Sequence, residues 1–259
     1  MQKFQKDMRI VANEPIGERY TLMSLTPNDE SRLPIINPGQ FVNVECRESK
    51  STFLRRPISI CDVDYEKNQL RLLIRKAGAG TESLCRLRGG HTVNIIFPLG
   101  SGFPEELLPE RNVLLIGGGV GVAPLLYYGR RLGFRDIECR YVLGARSKDD
   151  LLLLEEFEKI APVEVATEDG SKGTRGFVTD CPSLNDYKYD IWAVCGPMPM
   201  MKAVARIARS RDIECYVSLE NKMACGLGAC LCCVEKTVDG NQCTCTSGPV
   251  FNAATLLWD

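Results

Sequence analysis

Four cysteines near the end of the chain have the spacing of iron–sulfur ligands. Cys225, Cys230 and Cys233 form the pattern C-x4-C-x2-C, and Cys245 follows after eleven intervening residues. This is the plant-type ligand spacing of a [2Fe-2S] cluster. Such a cluster needs four thiolates, because two sulfide-bridged tetrahedral irons leave two open positions each. It carries one electron at a time, so the rest of the chain should contain an electron donor or acceptor.

The same segment contains two glycines and a competing cysteine. Gly226 and Gly228 can adopt positive φ, which turns backbone N–H groups toward the sulfurs and stabilises the reduced cluster. Cys243 could replace Cys245 as the fourth ligand, with a nine-residue gap after Cys233; we prefer Cys245. A structural zinc site is the alternative for the whole set, although zinc sites favour paired C-x2-C knuckles that this spacing does not match well.

Two motifs in the first hundred residues could hold a flavin nucleotide. Arg56-Pro-Ile-Ser59 offers an arginine for a pyrophosphate and a serine for a flavin ring atom. Gly78 and Gly80 precede a helix that is expected to open with Thr81, and a helix N-terminus offers free N–H groups to a phosphate. Alone, the first motif could be an arginine pair on a surface strand, and the second a plain capping turn.

Two further motifs suggest a dinucleotide site. Leu115–Leu125 joins a buried strand to a helix through Gly117, Gly118, Gly119 and Gly121, where dinucleotide folds bind pyrophosphate. It is not a strict G-x-G-x-x-G and could be a tight strand–helix connection. The second motif consists of Cys195, Gly196 and Pro197 at the carboxyl end of a later strand, where open α/β sheets bind ligands; the alternative is a turn before a helix.

Composition excludes several other classes of protein. The 259 residues include 32 basic and 33 acidic side chains, for a net charge of −1, so nothing favours nucleic acid or an anionic membrane. No apolar run reaches the roughly 18 residues of a membrane span. Thirteen cysteines, an odd number, without an export signal predict a reducing cytoplasm. The lone histidine, His91, fits a surface turn better than a catalytic base, so we predict no catalytic residue for an organic substrate.

The first hundred residues predict an antiparallel β-barrel. Short segments rich in strand-forming residues alternate with turn signals such as Asn37-Pro-Gly39, and five or six such strands suggest a small barrel. One helix is expected from Thr81 to Leu87, with Thr81 as its cap. The expected strands are Arg19–Leu25, Gln40–Glu45, Pro57–Cys61, Gln69–Arg75 and Thr92–Phe97.

After the loop Pro98–Pro104 the pattern changes to strands that alternate with helices, which predicts a doubly wound parallel sheet. The expected strands are Asn112–Gly117, Glu138–Gly144, Val163–Ala166, Ile191–Cys195 and Glu214–Leu219, and the expected helices are Pro124–Leu132, Lys148–Ile160 and Pro199–Arg209. The chain therefore divides into a β-barrel domain (1–100), an α/β domain (101–219) and a small cysteine-rich domain (220–259), a multidomain fold with α+β and α/β parts.

The order of these motifs resembles that of the ferredoxin–NADP reductase superfamily. Within it, Glu220–Val234 and Cys245–Phe251 closely resemble the electron-transfer subunits of type B dihydroorotate dehydrogenases. The resemblance covers nearly the whole chain, and the combination of motifs is specific although the single motifs are not.

The resemblance implies three cofactors and a partner. FAD would bind in the barrel, NAD(H) at the α/β domain and a [2Fe-2S] cluster at the C-terminal domain. The partner would be a catalytic subunit, a (β/α)8 barrel with FMN that oxidises dihydroorotate to orotate in pyrimidine biosynthesis, in a heterotetramer of two plus two. The site residues carried over for FAD are Arg56, Pro57, Ile58, Ser59, Leu73, Ile74, Arg75, Gly80 and Thr81, and those for the cluster are Cys225, Cys230, Cys233 and Cys245.

Two other functions compete with this interpretation. One is a subunit of an NADH-dependent ferredoxin:NADP oxidoreductase or a sulfide dehydrogenase, which would use the same cofactors with a different partner. The other is a non-catalytic, zinc-stabilised regulator that senses dinucleotides; such a protein would be colourless, whereas a flavoprotein with a [2Fe-2S] cluster is coloured.

Overall fold

The computed structural model describes residues 2–105, 111–186 and 188–258. The first and last residues of the chain, which the expected domains include, lie outside the described residues, as do 106–110 and 187 of the expected second domain. No helix among the described residues is both long and apolar enough to cross a membrane.

The predicted barrel is present and closed, with six strands and one helix. Its strand order is β1-β2-β5-β4-β3-β6, and all neighbouring strands are antiparallel. The elements are β1 (Phe4–Ile16), β2 (Tyr20–Pro27), β3 (Phe41–Val44), β4 (Arg56–Asp64), β5 (Gln69–Arg75), α1 (Ala79–Arg86) and β6 (Thr92–Leu99).

The longest barrel strand, β1, was not predicted. Its sequence is rich in charge, and only Met8 and Ile10 of its residues are fully buried. Because only one face of this strand meets the core, polar residues such as Asp7 and Arg9 alternate with the buried ones and weaken the apolar signal. The pairing with β2 and β6 closes the barrel, which a local sequence pattern does not report.

The prediction that Thr81 caps α1 is wrong. The helix begins two residues earlier, at Ala79, after Gly78. The Thr81 hydroxyl lies inside the first turn, where it accepts a hydrogen bond from Ala77 N at 2.9 Å and donates to Gly78 O at 3.1 Å. Thr81 therefore stabilises the turn that enters the helix, and the free N–H groups of the helix N-terminus lie closer to Gly80 than expected.

The predicted parallel sheet is also present, with one antiparallel strand at its edge. The strand order is β10-β9-β8-β7-β11-β12-β15, and β15 pairs antiparallel with β12. The elements are β7 (Val113–Gly118), α2 (Ala123–Gly133), β8 (Cys139–Ala145), α3 (Leu154–Glu158), β9 (Val163–Thr167), β10 (Thr174–Arg175), β11 (Ile191–Cys195), α4 (Met198–Ser210), β12 (Glu214–Ser218) and β15 (Val250–Asn252), with a hairpin of β13 (Val234–Thr237) and β14 (Gly240–Cys243) before β15.

Side chains alternate between two cores on the faces of this sheet. Leu115 packs with α2 on one face, and Leu114 and Ile116 pack with α4 on the other. The expected helix Lys148–Ile160 is wrong in extent, because a single 3-10 turn over Lys148–Asp150 and the five-residue α3 occupy this stretch. Leu153 has positive φ (55°), so the backbone leaves the helical conformation before α3.

The barrel and the sheet share a packed interface. Helix α2 packs against β4, and Tyr127 of α2 belongs to the barrel core, where its hydroxyl donates to Ile36 O at 3.0 Å. The buried carboxylate of Asp62 on β4 pairs with Arg130 of α2 at 3.2 Å. Arg71 of β5 donates to Glu156 of α3 at 3.1 Å. These contacts hold the barrel strands with the flavin-type motifs in place against the sheet domain that carries the glycine turn Gly117–Gly121.

Candidate functional site

The structure brings the two barrel motifs together. A Cβ on Gly80 would stand 3.1 Å from Arg56 Nε and 2.9 Å from Thr52 Cγ2. Gly80 lies in the first turn of α1, so the Arg56 guanidinium lies across a helix N-terminus that has free N–H groups. Both features favour an anion, and an added side chain would fill the space between them. The pair fits the pyrophosphate of a nucleotide such as FAD.

The two adjacent arginines have different surroundings. Arg55 donates to Asn94 O at 3.0 Å and to Asn94 Oδ1 at 2.6 Å, which connects the residue before β4 to β6. Within the described parts of the chain, Arg56 donates only to backbone oxygens at the strand start, Leu54 O at 2.9 Å among them. Arg56 therefore keeps donors for a ligand, whereas the hydrogen bonds of Arg55 stabilise the barrel.

The other flavin candidates lie on β4 and at the end of β5. Pro57 and Ser59 lie directly opposite Asn43 and Phe41 of β3, so these four side chains share one face of the barrel, whereas Ile58 packs against the barrel core. Leu73 and Ile74 are buried, so only their backbone can face a ligand, and Arg75 is exposed at the strand end. This arrangement fits the expected roles of the serine and of the β5 backbone.

The two dinucleotide motifs meet at the carboxyl edge of the sheet. Strands β7 and β11 pair in parallel with Gly117 beside Cys195. A Cβ on Gly121 would stand 2.5 Å from Gly196 Cα, so the two turns touch through backbone atoms. Gly119 has positive φ (56°) and faces open space. The contact leaves a backbone cradle before α2 that a pyrophosphate could approach.

The same edge holds a carboxylate that the sequence analysis did not select. Burial raises the pKa of the Cys195 thiol, and the nearby charge of Glu220 raises it further. The Glu220 carboxylate also lies within electrostatic reach of Arg75 at the end of β5. The only sequence signal for Glu220 was its place at the start of the cysteine-rich segment. In the fold it lies where the flavin and dinucleotide candidates converge.

The four predicted cluster ligands gather as two pairs. Cys225 and Cys230 are within hydrogen-bonding reach of each other, and so are Cys233 and Cys245. Cys233 and Cys245 are almost fully buried against Phe41. Two pairs of thiols fit a group with two irons that each have two open positions. Among the described residues, no three His, Cys, Asp or Glu side chains form a group that could hold a metal ion.

Backbone N–H groups point at these sulfurs, as the glycine spacing predicted. Leu227 N donates to Cys225 Sγ at 3.3 Å, and this bond and the N–H of Cys230 lower the pKa of the Cys225 thiol to about 6. Gly226 and Gly228 have φ of 69° and 89°, in the region that favours glycine. The loop therefore offers hydrogen bonds that stabilise thiolates, which is the protonation state of metal ligands.

Cys243 and Cys245 differ in position. Cys245 is 1% exposed, and the Gly228 N–H points at its sulfur, although burial still raises the pKa of the thiol to about 12. Cys243 is the last residue of β14 and pairs with Val234. Both thiols lie within hydrogen-bonding reach of Cys233, so this contact does not separate them. The burial and the donor favour Cys245 as the fourth ligand.

Comparisons with known proteins identify two regions of the chain. The family model for the iron–sulfur cluster binding domain of dihydroorotate dehydrogenase B matches residues 220–257. The model for the oxidoreductase NAD-binding domain matches residues 115–206. These ranges contain the paired cysteines and the glycine turn, respectively.

Curated relatives match over most of the chain. It is 45% identical over 225 residues to the electron transfer subunit of dihydroorotate dehydrogenase B (NAD(+)) from Shouchella clausii, which covers 85% of this chain and 86% of that protein. It is 38% identical over 257 residues to the same subunit from Lysinibacillus sphaericus, covering 97% and 98%.

Solved structures share the fold. A chain of the NADH-dependent reduced ferredoxin–NADP oxidoreductase superposes with a TM-score of 0.84 and 31% identity, over 97% of this chain and 90% of that chain. The FAD/NAD binding domain of the nitric oxide dioxygenase from Vibrio cholerae superposes with a TM-score of 0.71 and 17% identity, over 84% and 99%, which supports the fold alone.

Proposed function

The chain belongs to the family of dihydroorotate dehydrogenase B electron transfer subunits, and from this membership we propose that it passes electrons from a catalytic subunit to NAD+. In that reaction dihydroorotate is oxidised to orotate, a step of pyrimidine biosynthesis. The observation that carries the proposal is that one chain contains a flavin-type barrel, a sheet edge with dinucleotide-type turns and paired cysteines. An oxidoreductase that links one-electron to two-electron chemistry needs all three.

The cofactors implied by the family are FAD, a [2Fe-2S] cluster and NAD(H): FAD exchanges electrons singly or in pairs, the cluster singly, and NAD(H) as a hydride. The chain's own residues would bind and orient them. Arg56 and the α1 N-terminus would hold the FAD pyrophosphate. Ser59 would bond the flavin ring, and the backbone of Leu73–Arg75 would lie along its edge. Gly80 keeps this space open.

The carboxyl edge of the sheet would orient NAD(H) against the flavin. The backbone turn Gly117–Gly121 would receive the pyrophosphate, and Gly196 and Pro197 would border the reacting end. Buried Cys195 stays protonated at neutral pH because burial raises its pKa. A neutral thiol at this edge places no extra negative charge beside the hydride that NAD+ would accept.

For the cluster, we propose Cys225, Cys230, Cys233 and Cys245 as ligands. The mutual pairing of these thiols and the N–H donors around Cys225 and Cys245 support this set. Cys245 takes precedence over Cys243 because of its deep burial next to Cys233.

The proposed partner is the FMN-containing catalytic subunit, in a heterotetramer with two copies of each chain. The description of the relatives as electron transfer subunits supports a separate catalytic chain. Leu227 and Leu231 are exposed on the cluster loop, which gives this loop an apolar surface for such a partner. The proposed location is the cytoplasm, because the thirteen cysteines are free thiols.

The test is to express the chain with and without an FMN-containing dihydroorotate dehydrogenase subunit from the same genome. The complex should contain FAD, iron and acid-labile sulfide, and should reduce NAD+ with dihydroorotate; the chain alone should contain FAD and cluster but not oxidise dihydroorotate. Zinc in place of iron and sulfide, or a complex that reduces no NAD+, would overturn the proposal.

The alternative is a subunit of an NADH-dependent ferredoxin:NADP oxidoreductase. The 31% identity to a chain of such a structure supports it, but the identity of 45% to a dihydroorotate dehydrogenase subunit is higher. Purification with a glutamate-synthase-like flavoprotein, instead of an FMN barrel protein, would favour the alternative.

A further inference from the structure

Strand β3 has two different faces. Val42 and Val44 point into the barrel core. Phe41 and Asn43 point outward, toward the cysteine-rich segment, and both are buried there. The pairing of β3 with β6 shifts register between Phe41 and Asn43, and such an irregularity re-aims the side chains at that point of a strand.

Asn43 contacts the cluster loop directly. Its Nδ2 donates to Cys225 O at 3.1 Å, and a Cβ on Gly226 would stand 2.7 Å from the same nitrogen. Asn43 is 1% exposed, and its Oδ1 is buried without a hydrogen-bond partner among the described residues. A buried amide is costly unless it is bonded, so the single bond to the loop is the main polar compensation for this side chain.

The residues of β4 that pair with Phe41 and Asn43 belong to the flavin motif. Asn43 lies across from Pro57, and Phe41 lies across from Ser59. Phe41 also packs with Cys233 and Cys245. One strand thus touches both pairs of cluster cysteines and pairs with the strand that carries the flavin motif.

We propose that Asn43 is a positioning residue for electron transfer, which holds the Cys225 side of the cluster loop at a fixed separation from the flavin-bearing strand. The inference rests on the proposed function, because it assumes FAD on β4 and a cluster on Cys225. Dihydroorotate gives up two electrons and two protons. NAD+ takes two electrons and one proton as hydride, and the second proton goes to solvent. Two single electrons therefore pass between the cluster and the flavin for each NADH formed.

The geometry explains why the position needs an asparagine. Leucine matches its size but cannot donate to Cys225 O, so the carbonyl would lose its buried donor and the loop would shift. Aspartate has the same shape, but its carboxylate cannot donate and would repel the carbonyl oxygen. A shift of the loop would lengthen the separation between flavin and cluster, and the rate of electron transfer falls with that distance.

The experiment uses the full chain loaded with FAD and cluster, mixed with NADH without oxygen. Flavin reduction is followed by absorbance, and cluster reduction by freeze-quenched EPR. In Asn43→Leu, flavin reduction should stay near the wild-type rate, whereas cluster reduction should slow severalfold. The matched control is Asn13→Leu, which removes an amide bonded to Leu84 O and Leu87 O elsewhere in the barrel and should leave cluster reduction at the wild-type rate.

Asn43→Asp supplies a second readout. Its negative charge beside Cys225 disfavours the extra electron of the reduced cluster, so the midpoint potential should fall and the EPR spectrum should change. Wild-type rates and potentials in both Asn43 variants, or slowed cluster reduction in Asn13→Leu as well, would overturn the inference. The proposed function would fail separately, if the wild-type chain itself contained no cluster or flavin that NADH reduces.

Discussion

Arg56 and Gly80 lie against each other across the N-terminus of α1, with 3.1 Å between Arg56 Nε and the position of a Cβ on Gly80. The two residues lie 24 positions apart, in motifs that are weak when taken singly. Their contact makes one anion site from a guanidinium and a helix end. The site is small, because Thr52 and Cys46 border the same position.

Gly80→Ala should therefore weaken FAD binding. The new methyl group would meet Thr52 Cγ2 at 2.9 Å and push Arg56 from its place. We expect about a tenfold loss of FAD affinity, equivalent to about 1.4 kcal/mol, measured by flavin fluorescence on titration of the apoprotein. Gly78→Ala, in the same turn, meets nothing within 4 Å and should weaken binding less. Equal losses in the two variants would contradict the steric argument.

The barrel shows which elements a sequence can predict. Strands with a buried apolar face, such as Gln69–Arg75, were predicted with their observed bounds. β1 was missed, because its 13 residues carry many charges and its role depends on pairing with β2 and β6. The start of α1 was misplaced because a threonine after two glycines also fits a cap. Local sequence patterns predict which face of a strand is buried and where turns occur. Closure of a barrel depends on pairing between strands that are distant in sequence.

The fourth cluster ligand is decided by one pair of substitutions. Cys245→Ser should abolish the cluster, because it removes a thiol buried beside Cys233 that has its own N–H donor from Gly228. Cys243→Ser should keep the cluster, since this residue ends a strand and is less buried than Cys245. Iron and acid-labile sulfide per FAD measure the result. Loss of the cluster in Cys243→Ser and its retention in Cys245→Ser would move the fourth ligand to Cys243.

The contact between Gly121 and Gly196 at the carboxyl edge of the sheet predicts that a substitution there weakens NADH binding. In Gly121→Ala the Cβ would stand 2.5 Å from Gly196 Cα and 2.6 Å from Gly196 N, which are backbone atoms with little freedom to move. We expect the two turns to separate, with a stability loss of about 1–3 kcal/mol and a higher KM for NADH. Steady-state kinetics with an artificial electron acceptor and thermal unfolding measure both effects.

Gly133→Ala is the matched control for that variant. Gly133 ends α2, and a Cβ there meets nothing within 4 Å. Alanine should keep the KM for NADH and leave stability unchanged or raised by up to about 1 kcal/mol. A KM rise in this control equal to that in Gly121→Ala would show that the effect does not come from the contact with Gly196.

The motifs of the candidate site could be predicted from the sequence, but the contacts between residues from different motifs could not. The glycine turn and the cysteine spacing are local, so their chemistry could be read from short stretches. The contact between Asn43 and Cys225 joins residues 182 positions apart. Glu220 likewise gains its place beside Cys195 only when β12 has paired with β11. Such contacts depend on the tertiary fold, and an isolated sequence has no pattern that reports them.

The buried ion pair between the domains predicts a pH-dependent defect. Burial raises the pKa of Asp62, and the charges of Arg130 and Arg71 partly offset this rise. Arg130→Gln removes one of these charges but leaves the pair with Arg71 at 3.1 Å. Because a buried carboxylate loses part of its compensation, we expect the free energy of unfolding to fall by about 1–2 kcal/mol at neutral pH.

The sign of the pH effect follows from the direction of the shift. In Arg130→Gln the folded-state pKa of Asp62 rises further above its unfolded value, so the folded state binds the proton more tightly. The variant should therefore lose stability as the pH rises from the unfolded-state pKa of Asp62 through its raised folded-state pKa. In acid, where Asp62 is protonated, the difference in unfolding free energy between the variant and the wild type should shrink. Urea unfolding at several pH values tests this. Arg86→Gln, which breaks only the exposed pair with Glu82 at 3.5 Å, should cost less than about 0.5 kcal/mol at every pH. A deficit in Arg130→Gln that is the same at all pH values would mean that the arginine acts through packing and not through the charge of Asp62.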